Sequence, residues 1–84
     1  MKKKLLYIGA RPELYKSAII GITQDRRHIV YSHSYLIEAY VREGMTEDEA
    51  LEFFLSNTAE MIANAGPYAP LVIMDGEDVL DEIL

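Results

Sequence analysis

The residues best equipped for chemistry stand in "EGMTEDEALEFF", residues 43–54, where Glu47, Asp48, Glu49 and Glu52 crowd together before the chain turns apolar. Carboxylates at that density could hold a hard cation through oxygen ligands, or imitate the charge of nucleic acid. A cation site wants ligands converging from several elements, and the acids Asp75, Glu77 and Asp78 are available as a second set. Helix mechanics explains the same residues more simply. Thr46 is a good N-cap, and Glu49 three residues on completes a capping box. Glu47, Asp48 and Glu49 fill the first turn, where the positive end of the helix dipole favours each by about 0.3–1 kcal/mol. Glu52 needs only an exposed position one turn beyond Asp48. No metal and no other cofactor is expected.

The remaining candidates are fewer. His28 and His33, the only histidines, stand five apart across a strand end and would point to opposite faces, which is poor metal geometry. Ser32-His33-Ser34 sets two hydroxyls beside an imidazole, as a nucleophile and its base require. Sequence neighbours rarely meet in that geometry, and no carboxylate is evidently placed to orient the ring. Helix capping is the simpler use of both serines, so no catalytic residue is assigned. Arg26 and Arg27 could touch phosphate, with Lys2–Lys4 adding to them, but a net charge of −6 argues against a general nucleic-acid binder. Asn57 lies mid-helix beside an apolar face, where a buried amide must find a partner on a neighbouring element. The six tyrosines are many for this length, and tyrosine is favoured at protein interfaces. The candidate binding residues are therefore Glu47, Asp48, Glu52, Tyr31, Tyr35, Asn57, Asp75 and Asp78.

The elements that must position these residues are well punctuated. Leu5–Gly9 is a candidate short strand, broken by Arg11-Pro12. Ser17–Thr23 and His28–Ser32 are apolar, β-branched runs joined by the polar "QDRR", which reads as an antiparallel hairpin. Leu36, Ile37, Tyr40 and Val41 recur at helical spacing behind a cap at Ser32 or Ser34. Gly44 suits the left-handed position that ends such a helix, with Met45 packing back on Tyr40. From the Thr46 cap, Leu51, Phe54, Leu55, Thr58, Met61, Ile62 and Ala65 trace the face of a second helix, stopped by Gly66-Pro67. Leu71 to Met74 is the last strand, and residues 77–84 read as a short helix or an acidic tail. The expected fold is α+β: a small antiparallel or mixed three-stranded sheet, ordered as β-hairpin, helical hairpin and β, with two helices on one face.

Eighty-four residues make one domain, with a core in 17–74, an N-terminal extension in 1–16 and a tail in 75–84. Half of the residues are hydrophobic, which is globular rather than disordered composition. The absence of cysteine excludes disulfides and thiolate metal sites. The charged opening "MKKK" precedes an apolar run, Leu5–Ala10, too short for a signal peptide, and no stretch nears the roughly 20 apolar residues that span a bilayer. A cytoplasmic protein without a membrane contact is expected. Residues 1–42 hold all eight basic residues against three acidic ones, while residues 43–84 hold eleven acids and no base. Such polarity can steer a charged partner. The strands are apolar on both faces, so the face away from the helices needs a cover. A homo-oligomer, most simply a dimer, or a protein partner is expected there.

"AIIG" (18–21), "VYSHSYLIE" (30–38), "GMTEDEALEFFLSNT" (44–58) and "GPYAPLVIM" (66–74) together resemble a family of small proteins carried by phages, prophages and other mobile elements of bacteria. The matching positions are Gly21, Tyr31, Glu38, Met45, Thr46, Glu49, Ala50, Glu52, Asn57, Thr58 and Pro70. Ser32 and Ser34 depart from it, standing where that family usually carries aspartates. The resemblance implies, by context, a factor that binds and blocks or modulates a bacterial protein, such as a defence protein of the CRISPR effector kind, through acidic mimicry. Two alternatives stand beside it: a small metal-dependent enzyme using the acidic cluster, and a purely self-associating structural protein.

Overall fold

The fold is that of a computed structural model, which describes residues 5–9 and 11–75. Pro12 opens the first regular element, a 3₁₀ helix over Pro12–Ala18. A proline costs nothing at that position, because the first turn has no use for its missing N–H. Two antiparallel strands follow, β1 (Ile19–Ile22) and β2 (Ile29–Ser32). Strand β1 starts later than the apolar run suggests, since Ser17 and Ala18 belong to the 3₁₀ helix. The hairpin turn is closed by Arg26 N donating to Thr23 O at 2.8 Å and by Asp25 Oδ1, which accepts from the Thr23 hydroxyl and from Arg27 N.

Ser32 caps α1 (His33–Arg42), its Oγ accepting from Tyr35 N at 3.2 Å. Gly44, at φ +112°, ends the helix as expected, and Met45 packs on the cluster around Tyr40. The second helical segment runs as α2 (Glu47–Phe53), a π turn (Phe54–Thr58) and α3 (Ala59–Ala63). The capping box at its start is complete: Glu49 N donates to Thr46 Oγ1 at 3.1 Å, and Thr46 N donates to Glu49 Oε1 at 2.9 Å. Strand β3 (Leu71–Ile73) then pairs in parallel with β2, giving a mixed sheet of order β1-β2-β3. The helices between β2 and β3 return the chain to the same end, which is what a parallel pairing needs. The architecture is the small α+β fold expected.

The core holds three corrections. Residues 5–9 form no strand, yet they are not an extension: Ile8 is 2% exposed, and its N–H donates to the Tyr31 hydroxyl at 3.0 Å. Gly9 makes this approach possible. It sits at φ +83°, and a Cβ there would lie 2.7 Å from the Tyr15 ring. Second, the long helical segment does not bury the whole expected face. Ala50 and Thr58 are buried and Phe54 and Ile62 reach the core, whereas Leu55 is 72% exposed. Third, Tyr31 is fully buried under the sheet with Ile29 and Leu36, burial that stabilises the fold by roughly 2–3 kcal/mol. The opposite sheet face leaves Ile20, Leu71 and Ile73 in solvent.

Candidate functional site

The acidic turn borders an open hollow. Helices α1 and α2 pack through Ile37, Tyr40 and Ala50, and the small Ala50 lets them approach closely. Beside that contact runs an open groove of about 640 Å³, lined by His33, Ser34, Ile37, Glu38, Val41, Arg42, Glu47 and Leu51. Val41 and Leu51, 41% and 38% exposed, give it an apolar floor in contact with water. Glu38 and Glu47 set two carboxylates on its walls, and Arg42, also on the wall, donates to Ser17 Oγ at 2.9 Å. Of the acids read from the sequence, Glu47 thus lines the groove, and Asp48 and Glu52 are exposed on the same helix. Glu49 is occupied by its cap, whose Thr46 donors hold its carboxyl below the usual carboxylate range. No three of His, Cys, Asp and Glu come together to hold a metal ion among the described residues.

At one end of the groove the structure supplies the carboxylate that the serines lacked in sequence. Asp75 Oδ2 accepts from Ser32 Oγ at 2.6 Å, and Oδ1 accepts from Ser34 Oγ at 3.1 Å and Ser34 N at 3.2 Å. These bonds, the Ser32 hydroxyl first, hold the Asp75 carboxyl below its ordinary value. Nucleophilic catalysis would instead need the imidazole between serine and carboxylate. His33 packs edge-on to Phe54, ring centroids 4.7 Å apart, and burial pushes its pKa down. The arrangement is a cap. Asp75 places a negative charge at the positive end of α1 and ties the end of β3 to that helix.

Other expected site residues are scattered. Tyr31 offers no surface, because it is buried and its hydroxyl accepts from Ile8 N. Tyr35 is exposed on α1, beside Glu38 and Arg42. Asn57 is exposed rather than buried, donates to Ser56 Oγ at 3.1 Å, and lines a second cleft with Tyr7, Tyr15, Tyr40 and Met61. His28 is structural, its Nδ1 lying 2.6 Å from Ala69 O. Arg26 and Arg27 are exposed on the hairpin. Asp78, Glu77 and Lys2–Lys4 lie outside the described residues. Sequence reading missed the groove because Val41 and Leu51 were each assigned to a buried stripe. Their signal was present: each lies at the edge of its helix's apolar face.

Comparisons with protein-family models, with curated proteins and with solved structures find no match to this chain. No helix among the described residues is long and apolar enough to cross a membrane.

Proposed function

We propose that this chain is a non-catalytic protein-binding module that takes a basic, amphipathic segment of a bacterial protein in the groove between α1 and α2. The groove carries the reading: exposed Val41 and Leu51 form an apolar floor between the carboxylates of Glu38 and Glu47. An apolar floor with charged edges is how a helix-in-groove contact obtains affinity from the middle and orientation from the rim. The acidic second half of the chain supports the same partner charge. The resemblance of residues 17–74 to mobile-element proteins supports a factor that inhibits or modulates its target, a defence protein included.

A second contact rests on the outer sheet face, where Ile20, Leu71 and Ile73 are exposed together. Self-association through that face, as a dimer, would cover it and leave the groove open.

Capture from nuclease-treated bacterial lysate by tagged protein, at low and high salt, tests the proposal. One stoichiometric partner is expected, lost at high salt and lost with the charge-reversed pair Glu38→Lys and Glu47→Lys. Retention of nothing, with a stable dimer by light scattering, would leave self-association as the function.

A further inference from the structure

The second cleft lies on the other side of α2, between residues 7–9, the 3₁₀ helix and the π turn, and holds about 440 Å³. That is the size of a small-molecule site. Its wall is aromatic. Tyr40 meets Tyr15 and Phe53 edge-on, with ring centroids 5.3 Å and 5.1 Å apart. The π turn brings Phe53 and Thr58, five residues apart, onto the same wall, and such turns recur at functional positions.

The cleft floor holds one proton more than it uses. Tyr40 and Thr58 are 1% and 4% exposed, and their hydroxyl oxygens lie 2.6 Å apart. Two hydroxyls carry two protons, and the bond between them spends one. Other polar side chains of this helical segment reach back to it: Ser56 Oγ donates to Glu52 O and Asn64 Nδ2 to Glu60 O, both at 2.9 Å. Thr58 makes no such bond, so among the described residues the second proton of the pair has no protein acceptor. A buried donor without an acceptor is costly, because it has given up water for nothing.

We propose that this cleft binds a small, flat, uncharged molecule carrying a carbonyl on a largely apolar body. The carbonyl accepts the unspent proton of the Tyr40–Thr58 pair, and the body lies against the aromatic wall beside Met61. A carboxylate is disfavoured, because none of the described lining residues is a cation that could pair with it. Glu43 stands beside Tyr15, whose hydroxyl is pushed up to about 12 by burial and by that neighbouring charge. An anion would meet the same repulsion and the same loss of water.

Titration with benzamide and with its anionic isostere benzoate, read by NMR shifts of the Tyr15, Thr58 and Met61 side chains, tests the site. Benzamide is expected to saturate these shifts with a Kd of order 1 mM, and benzoate to leave them unchanged. Tyr40→Phe and Thr58→Val should each keep binding, because either one leaves a single free hydroxyl proton. The double variant should lose about tenfold in affinity, the worth of one hydrogen bond. Met61→Trp fills the cleft from an exposed position and should abolish binding, which decides the matter even if the double variant fails to fold. Equal binding of benzoate, shifts scattered away from the cleft, or unchanged affinity in Met61→Trp would overturn the proposal.

Discussion

At the start of α1, Asp75 satisfies two serine hydroxyls and a backbone N–H, while burial lowers the pKa of His33 beside it. Both groups have folded pKa values below their ordinary ones, so both make stability fall towards acid. The unfolded chain protonates His33 first, below its ordinary 6.5, so that contribution is complete above 6.5 and declines as pH falls to the folded value. The Asp75 contribution is complete above its ordinary 3.8 and is lost as pH falls through the folded value. Thermal unfolding against pH should show two acid-side losses, with His33→Gln flattening the upper one and Asp75→Asn the lower. An unchanged lower step in Asp75→Asn would contradict this assignment. Backbone strain gives a second test. Arg26 holds φ +60°, where only glycine is at ease, so Arg26→Gly should stabilise by about 0.5–1 kcal/mol. Gly9→Ala should cost about 2 kcal/mol or more, because the new Cβ would meet the Tyr15 ring. Denaturant midpoints measure both. The serine cap was legible because it is local. Asp75 as its partner was not, since 43 residues separate it from Ser32.

Among the elements, boundaries written by short-range chemistry read directly from sequence. The Thr46–Glu49 box and the glycines at 44 and 66, both at positive φ, stand where the residues place them. What the periodicity misread is the face of the second helical segment. Phe54, Thr58 and Ile62, four apart, keep the buried line, while Leu51, Leu55 and Met61 lie at its edge in solvent, so the apolar pattern is broader than the face that packs. The difference is measurable. Leu55→Lys should change stability by no more than about 0.5 kcal/mol, as an exposed substitution does. Ala50→Leu, against Ile37 and Tyr40, should cost about 1–3 kcal/mol by overpacking the helix contact. The reverse ranking in chemical denaturation would show that the α1–α2 contact is placed wrongly. The 3₁₀ helix at Pro12–Ala18 was missed for a related reason: so short an element carries too little periodicity to announce itself.

For the whole molecule, size decides how the surface is used. A chain this small has one core, and that core draws in Ile8 from a segment that sequence alone set aside. The two helices then cover only one face of the sheet. Among the described residues three apolar surfaces remain beyond the core: the α1–α2 groove, the aromatic cleft and the outer sheet face. Charge separates them. The groove is walled by Glu38 and Glu47, the cleft is lined by aromatic and uncharged groups, and the exposed sheet residues are aliphatic. The apolar strands raised the expectation of a surface in need of cover, but not the groove, which exists only once α1 and α2 have packed. Hydrogen–deuterium exchange on the complex captured from lysate tests the central claim most directly. The binding account predicts slowed exchange in α1 and the first turns of α2, with β1 and β3 unaffected by the partner. Protection confined to β1 and β3, with the helices exchanging as in the free protein, would contradict it.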